Sequence, residues 1–389
     1  MTTGAIAIDG GELPLGGGLL ALLRPALSAL PAGGVVAIRS TCASLLRDLP
    51  SWCRAERHAW LGAEELEVGC QRHLIARGTF GVSREFPDPA DNHSGFAPRG
   101  ARIEPGGPAY PFTLLEGLRV APPDVALLYQ QAVAAQWDAN RDIPWNQIGD
   151  HPPELERAIA QIMTFLAENE LSALYVPSRF IARIHPAYVE VGMFLATQLH
   201  DEARHTDVFL RRARAAGQDL GISSVTTSRS LLSLLELEDF TEATFLLSVL
   251  GEGTFLDLLR FVEVHAPDEV TREIARRTRA DETRHVHFGL SHVRHALGHD
   301  PTLYSRLEAA VRKRAATLHN AGGVPAPLQD ALTVLAGGGT DPRGIGRGHA
   351  AFRRLLVDMD DHRVRRLTSA GFTADQARAL SELHTTNFM

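Results

Sequence analysis

Two five-residue strings, DEARH at 201–205 and DETRH at 281–285, repeat the pattern Asp-Glu-x-Arg-His within helix-like sequence. Residues three or four positions apart lie on one face of a helix, so the glutamate and the histidine of each string project together. The aspartate stands one turn before the histidine, where its carboxylate can hold the imidazole nitrogen that a metal ion leaves free. Each string is therefore a candidate half of a metal site.

The surrounding sequence predicts four long helices, because apolar residues recur every three or four positions and strand-like alternation is absent. Pro177 is expected to end or kink the first of them. The two strings lie in the second and the fourth helix, so a four-helix bundle can bring them face to face. Such bundles build two-metal sites from a Glu-x-x-His on each of two helices and one glutamate on each of the others. The predicted helices cover residues 154–175, 187–217, 229–265 and 268–297.

The first and third helices must therefore each contribute a glutamate that interrupts an apolar face. Glu252 meets this requirement in the third helix. Glu168 and Glu170 compete in the first helix, and Glu170 is preferred because it shares its face with Leu166 and Leu174. It also precedes the second-helix glutamate by 32 residues, close to the 30 residues that separate Glu252 from the fourth-helix glutamate.

The resulting donor set has four carboxylates and two imidazoles, which suits iron or manganese and, without thiolates, disfavours softer metals. Asp201 and Asp281 are expected to orient the ligands from behind. Arg204 and Arg284 are expected to offset part of the carboxylate charge. The six predicted ligands, which are also the predicted catalytic residues, are Glu170, Glu202, His205, Glu252, Glu282 and His285.

Residues 154–297 resemble the ferritin-like carboxylate-bridged di-iron proteins, which include bacterial multicomponent monooxygenases, ribonucleotide reductase small subunits and di-iron N-oxygenases. The doubled Asp-Glu-x-Arg-His carries this resemblance. It implies the same six ligands and a cofactor of two iron ions, with a manganese–iron pair as the alternative. It also implies an enzyme that uses O₂ to hydroxylate, N- or S-oxygenate or desaturate a small organic substrate, with electrons from a reductase or ferredoxin. A homodimer is a further expectation.

Two positions distinguish between members of that superfamily. Ribonucleotide reductase small subunits store a radical on a tyrosine after the second-helix glutamate, and Phe209 occupies that place here. Arylamine N-oxygenases add a histidine one turn before the fourth-helix glutamate, where this chain has Thr278. Radical storage is therefore unsupported, and N-oxygenation is disfavoured while it stays among the candidates.

Two other classes of function stay open. A ferritin-like protein for iron handling or peroxide detoxification would show ferroxidase activity without turning over an organic substrate. A non-catalytic interaction protein would use the repeated strings for salt bridges between helices and would bind no metal. Ferritin chains are much shorter, so the extra N-terminal and C-terminal segments make iron storage the weaker expectation.

Residues 4–80 alternate short strand-like and helix-like stretches, which predicts a small α+β unit. The last of its predicted strands is followed by a glycine break at Gly78. Strands are predicted at Ala5–Asp9, Val35–Ser40 and His73–Arg77, and helices at Leu19–Leu30 and Ala43–Arg57.

This N-terminal segment resembles the TusA family of small sulfur carriers. The resemblance rests on Asp9-Gly10, on Pro14, on the apolar first helix and on the run RDLPSWC at 47–53. That family carries sulfur on a cysteine directly before the proline, and Leu13 stands there instead. Sulfur transfer by that route is not expected, and a sulfur-bearing or carrier-presented substrate is the remaining suggestion.

The three cysteines, Cys42, Cys53 and Cys70, match neither a paired disulfide framework nor a cysteine-rich zinc site. Cys53 lies among apolar residues in a helix pattern and is predicted to be a buried small hydrophobe. This usage is typical of a reducing compartment, and a cytoplasmic location is the expectation.

The 389-residue chain is predicted to contain two domains. A TusA-like domain at 1–80 precedes a Pro- and Gly-rich linker at 81–123, and a ferritin-like all-α di-iron domain follows at 124–389. The fold class is therefore mainly α, a ferritin-like four-helix bundle with extra C-terminal helices and a small α+β domain before it. Further helices are predicted at 123–139, 302–317, 326–336, 348–367 and 373–385.

Charge and hydropathy argue against two kinds of partner. The chain has 46 acidic and 39 basic side chains and a formal net charge of −7, which disfavours nucleic acid. No uncharged apolar run reaches the length of about 18 residues that a membrane span requires. Neither nucleic acid nor a membrane is expected as a partner.

Overall fold

The computed structural model describes residues 6–78, 112–114, 120–318 and 324–383. The chain divides into two compact units, of which the first contains residues 6–78 and the second contains the other described residues. The predicted linker at 81–123 lies mostly outside the described residues, and the predicted domain boundaries stay predictions.

The first unit is a four-stranded sheet with two helices on one face. The strands are ordered β1-β2-β4-β3, β1 is parallel to β2, and the other neighbours are antiparallel. Both helices pack their leucines against Val36 and Ile38, alternate residues that share one face of β2. The elements in chain order are β1 Ile6–Gly11, α1 Leu19–Ser28, β2 Val35–Ser40, α2 Leu45–Ala55, β3 Ala59–Glu67 and β4 Cys70–Ala76.

Three of these strands and both helices agree with the sequence pattern, but β3 was not predicted. β3 lies at the edge of the sheet and every one of its residues is exposed or half-buried. Its glutamates therefore face solvent, and the alternation that marks a half-buried strand is weak. The prediction for Cys53 is confirmed, since its side chain is 1% exposed and burial raises the pKa of its thiol to about 11. The likeness to TusA proteins stays a prediction.

The described residues of the second unit are mainly helical, which confirms the mainly α fold. A π-helical segment, Phe245–Glu252, joins α7 to α8, and we call the continuous stretch Phe240–His265 the third bundle helix. None of the described helices combines the length and apolar character that a membrane span needs. The α-helices are α3 Val125–Ala134, α4 Pro153–Ile181, α5 Val189–Arg214, α6 Val225–Leu235, α7 Phe240–Thr244, α8 Gly253–His265, α9 Glu269–His299, α10 Leu303–Leu318, α11 Ala326–Gly337, α12 Pro342–Ser369 and α13 Ala374–Leu383.

Pro177 was expected to end or kink the first bundle helix, and the first alternative is wrong, because α4 continues to Ile181. A proline inside a helix removes one backbone hydrogen bond and costs about 3 kcal/mol. Val176 and Phe180 on either side of it are buried in the bundle core. Their packing holds the last turn in helical form.

The predicted third helix, 229–265, is in fact interrupted. α6 ends at Leu235 and α7 begins at Phe240, with Asp239 as its N-cap. The Asp239 side chain accepts a hydrogen bond from the Glu242 amide at 2.9 Å. An aspartate followed three residues later by a glutamate is a helix-start signal, and apolar periodicity alone overlooked it.

A buried ion-pair cluster ties three bundle helices together at one end. Arg212 of α5 donates to Glu156 of α4 at 2.9 Å and to Asp268 at 2.7 Å. Asp268 is also the N-cap of α9, where it accepts from the Thr271 amide at 2.7 Å. The side chains of Arg212 and Asp268 are 0% and 2% exposed. This contact fixes the relative position of α4, α5 and α9, three helices that carry predicted ligands.

Replacement of Asp268 should test that role. The Asp268→Ala variant leaves Arg212 buried with one partner fewer, which is expected to lower the free energy of unfolding by about 3–5 kcal/mol. Chemical denaturation followed by circular dichroism measures the change. Asp375→Ala, at a side chain that is 96% exposed, is the control and should cost less than about 1 kcal/mol. A loss as small in Asp268→Ala as in the control would contradict this role.

Candidate metal centre

All six predicted ligands come together in the interior of the bundle. Glu170 lies in α4, Glu202 and His205 lie in α5, Glu252 ends the π-helical segment, and the last two lie in α9. None of the six is more than 5% exposed. A cluster of buried carboxylates is strongly unfavourable unless positive charge and hydrogen bonds balance it. Forming this site therefore costs the bundle part of its folding stability.

The six residues form two overlapping groups. The first group is Glu170, Glu202, His205 and Glu282, and in each group the four donor atoms lie within 4.8 Å of one another. The second group is Glu202, Glu252, Glu282 and His285. Each group offers three carboxylate oxygens and one imidazole nitrogen, and the glutamates of the two repeated strings belong to both. Two neighbouring cations sharing two bridging carboxylates would satisfy this arrangement.

The two imidazoles point the same ring nitrogen into the carboxylate cluster. His205 Nδ1 lies 3.2 Å from a Glu202 oxygen and 3.4 Å from a Glu282 oxygen. His285 Nδ1 lies 3.0 Å and 3.4 Å from oxygens of the same two glutamates. Glu170 is 3.8 Å from His205 Nδ1. Nδ1 of both rings is thus the atom available to a cation.

The aspartates hold the histidines, but in a crossed arrangement that corrects the sequence prediction. His205 Nε2 lies 3.1 Å from Asp281, and His285 Nε2 lies 3.3 Å from Asp201. Each aspartate therefore serves the histidine of the other string, on the facing helix. In each helix, Nδ1 of the histidine faces the glutamates. The aspartate one turn earlier in that helix contacts Nε2 of the histidine on the facing helix. The crossed contacts link α5 and α9 directly.

Both motif arginines lie beside the aspartate pair, as expected from their sequence positions. Arg204 Nη2 lies 2.5 Å from Asp201 and 2.9 Å from Asp281. Arg284 Nη2 also contacts Asp281, and it lies 3.7 Å from Asp201. The two guanidinium groups offset the charge of the aspartates and leave the glutamate cluster to other cations.

Three further side chains complete the surroundings, and motif spacing did not reveal them. Trp137 Nε1 donates to Asp281 at 2.7 Å. Gln136 donates to Asp201 at 3.0 Å and accepts from Arg204 at 2.6 Å. These two residues follow α3, which carries no repeated string, so the sequence offered no signal for them.

Gln198 is the third residue that was missed. Its amide donates to Glu252 Oε1 at 3.0 Å, and its side chain is buried. It stands one turn before Glu202 on the same face of α5, which is the signal that could have identified it.

Burial and neighbouring charges shift the pKa values of three of the glutamates, and not all in the same direction. Burial, followed by the charges of Glu202 and Glu282, raises the pKa of Glu170 well above its usual value. Burial and Glu282 raise the pKa of Glu252 in the same way. Burial would also raise the pKa of Glu202, but the charges of His285 and His205 outweigh it and lower that pKa.

The surrounding carboxylates raise the pKa values of both histidines. Burial alone would lower the pKa of His205, but Asp281 and the surrounding glutamates raise it well above its ordinary value. The pKa of His285 is raised likewise, by Glu202 and Glu282 against burial. Metal ions bind the neutral imidazole, so cations entering this cluster would displace protons.

Several buried atoms of the predicted ligands lack hydrogen-bond partners among the described residues, and a bound cation could provide the missing interaction. Oε1 of Glu170 and Oε2 of Glu252 are buried and have neither a hydrogen bond nor an ion pair among the described residues, and the buried oxygens of Glu202 and Glu282 that lack a hydrogen bond face the two imidazoles at 3.0–3.4 Å. A buried acceptor without a partner costs about 1–3 kcal/mol, and more if it is charged. Two divalent cations would supply four positive charges for four carboxylates and use these atoms as ligands. The donor set therefore fits a two-metal centre.

The structure places Glu168, the competing first-helix residue, outside both groups. Its side chain is half-buried and accepts a hydrogen bond from Ser223. Phe209 and Thr278, the two positions that separate members of the superfamily, are both fully buried. The Phe209 ring lies 6.5 Å from the His205 ring, so an apolar side chain borders the site on that side.

Solved structures with a similar chain trace include dimetal oxidases. A variant of an R2-like ligand-binding oxidase with an aerobically reconstituted Mn/Fe cofactor is 16% identical, with a TM-score of 0.45 over 68% of this chain and 94% of that chain. Another variant of that oxidase, with an aerobically reconstituted Fe/Fe cofactor, is 19% identical, with a TM-score of 0.47 over the same shares.

A protein from Synechococcus with aldehyde deformylating oxidase activity is 20% identical, with a TM-score of 0.43 over 59% of this chain and 96% of that chain. No family model and no curated protein matches the sequence. Likeness this distant assigns no reaction, so the function has to be derived from the residues of the site.

Replacement of Asp281 should weaken metal binding without touching a ligand. Asp281→Asn removes the carboxylate that holds His205 Nε2, and residues in this position typically contribute 10–100-fold to metal affinity. We expect a loss of about that size in a competition titration with a chelator. The control is Asp207→Asn on the same helix as His205, at a side chain that is 54% exposed. Equal affinities in the two variants would contradict the role of Asp281.

Proposed function

We propose that the second unit is a non-haem dimetal oxidoreductase that uses O₂ to oxidise a small organic substrate. The observation that carries the proposal is the pair of overlapping donor groups that share Glu202 and Glu282. Oxygen and imidazole donors without thiolate suit iron or manganese. The cofactor is two iron ions, with a manganese–iron pair as the alternative.

Each ligand has a defined task in this proposal. Glu170, Glu202, His205 and Glu282 would hold one ion, and Glu202, Glu252, Glu282 and His285 would hold the other. When bound, the two ions would supply electrons and open coordination positions for the reduction of O₂. Asp281 keeps the Nε2 proton of His205 in place and so presents Nδ1 as the ligand atom.

Apolar side chains keep water away from the site. Phe194 is 0% exposed, and its ring lies 6.5 Å from that of His285. Phe209 has the same relation to His205. A water-poor environment strengthens the electrostatic interactions inside the site and limits side reactions.

Two small cavities lie beside the ligands. A cavity of about 10 Å³ is lined by Glu170, Glu252 and Glu282 together with Leu247. This is about the space that one water molecule occupies. A second cavity of about 10 Å³ lies beyond Leu247, which lines both. Its other walls are mainly apolar, with Val176, Phe180, Leu195, Phe240 and Phe288.

The partners follow from the chemistry. Reduction of O₂ with oxidation of an organic molecule requires electrons, so a reductase or a ferredoxin is the proposed donor. A sulfur-bearing or carrier-presented substrate, a homodimeric state and a cytoplasmic location stay predictions from the sequence.

The interaction-protein alternative fits the site poorly, because salt bridges between helices would leave the buried Oε1 of Glu170 and Oε2 of Glu252 without a partner. Iron handling with ferroxidase activity is the second candidate, since ferrous ion held by the same donor set would be oxidised by O₂, which accepts the electrons. Aerobic titration with ferrous ion distinguishes the proposed oxidase from an iron-handling protein. The proposed enzyme should retain about two iron ions per chain, whereas continued accumulation of iron would establish storage.

Metal content is the test of the proposed site. Protein purified from iron-supplemented cells should contain about two iron or manganese ions per chain by elemental analysis. Glu170→Gln should reduce occupancy because it removes a ligand of the first group. Glu168→Gln is the matched control, two residues away on the same helix, and should leave occupancy unchanged.

Two outcomes would contradict the assignment. Folded wild-type protein with no bound metal would remove the proposed function. Full occupancy in Glu170→Gln with an empty site in Glu168→Gln would show that the first-helix ligand has been assigned wrongly.

A further inference from the structure

A cleft of about 540 Å³ lies between α8, α9 and α12, and none of the six predicted metal ligands lines it. Sites for small molecules typically have volumes of about 300–1,000 Å³. Leu256, Val286 and Leu290 form an apolar part of its wall, which we call the apolar floor. Most of the remaining wall is basic.

Five arginines line the cleft against a single carboxylate, Asp257. This is a local reversal in a chain whose formal net charge is −7. A concave surface with one sign of charge focuses the electric field and raises the local concentration of counter-ions. The arginines are Arg260, Arg279, Arg294, Arg365 and Arg366.

Two of these arginines, Arg260 and Arg365, have no partner among the described residues. Arg279 pairs with Glu263 at 2.8 Å, and Arg294 donates to a backbone carbonyl of α12 at 2.9 Å. The guanidinium groups of Arg260 and Arg365 have neither an ion pair nor a hydrogen bond among the described residues, and both side chains are exposed. Both can therefore turn to a bound anion at little cost.

Arg366 is the most recessed of the five, with a side chain that is 12% exposed. Its Nη1 lies 3.4 Å from Asp257, whereas Nε and Nη2 are buried without a hydrogen-bond partner in the described part of the chain. A Cβ at Gly253 would come within 2.6 Å of Nε, so the glycine makes room for this guanidinium.

Arg366 lines the cleft, and its unpaired edge would reach a ligand there by a shift of the buried guanidinium. Nε and Nη2 form the fork that binds carboxylate or phosphate with two parallel hydrogen bonds. Burial lowers the pKa of Arg366, and an anion at this fork would offset that cost.

We propose that this cleft binds a small organic anion. Its phosphoryl or carboxylate group would be held by Arg260, Arg365 and Arg366, and its apolar body would cover the apolar floor. A small molecule fits better than an acidic protein surface, because a broad surface would meet the exposed arginines without reaching the recessed Arg366. The site is separate from the metal centre and does not depend on the proposed oxidase function.

Calorimetric titration of the full chain tests the site with three probes: inorganic phosphate, phenyl phosphate and benzoate. Phenyl phosphate should bind with one site per chain and more tightly than inorganic phosphate, because its ring covers the apolar floor. The tighter of phenyl phosphate and benzoate identifies the preferred anionic group. Protein stripped of metal by a chelator should bind the probes as well as untreated protein does.

A double variant provides the specific control. Arg260→Gln with Arg365→Gln changes two exposed side chains, so folding should be retained, and the affinity should fall about tenfold or more. Arg353→Gln, an exposed arginine of α12 that does not line the cleft, should bind like wild type.

Several results would overturn the proposal. These are the absence of saturable binding for every probe, equal affinity in the double variant and wild type, and binding that is lost with the metal. Binding of polyglutamate without binding of the small anions would assign the cleft to an acidic protein partner instead.

Discussion

Four glutamate side chains converge in the apolar interior of one helical bundle, and this constraint governs the rest of the second unit. Carboxylates in such a place must be neutralised by protons or by metal ions. The neighbouring carboxylates raise the pKa values of both histidines, and burial raises those of Glu170 and Glu252, so all four side chains favour a form without net negative charge. Divalent ions would neutralise the carboxylates with more charge per ion and would bind the buried Glu170 and Glu252 oxygens that have no partner.

The architecture around the cluster follows from this requirement. Each aspartate of the repeated strings holds the histidine of the facing helix, so α5 and α9 are joined through the ligands themselves. The arginines of the same strings neutralise the aspartates and not the glutamates, which leaves the ligand oxygens available. At one end of the bundle, Arg212 links α4, α5 and the start of α9. The crossed aspartate–histidine contacts and the Arg212 cluster both fix helix positions that a two-metal site needs.

Much of this could be predicted from the sequence because helix periodicity and the repeated string both act over short distances. The position of Glu252 and the choice of Glu170 over Glu168 follow from which side of a helix is apolar. Contacts between distant segments could not be predicted in this way. The crossed aspartates depend on how two helices face each other, and Trp137 and Gln136 come from a segment with no repeated string. The start of α7 at Asp239 was overlooked because a cap interrupts a helix without interrupting its apolar spacing.

The central claim is that two metal ions lie side by side between these six residues. Anomalous X-ray scattering at the iron and manganese absorption edges, from crystals of metal-loaded protein, locates such ions directly. Two peaks are expected, one beside Glu170 and His205 and the other beside Glu252 and His285, with Glu202 and Glu282 between them. A single peak, or metal bound only elsewhere on the chain, would contradict the claim.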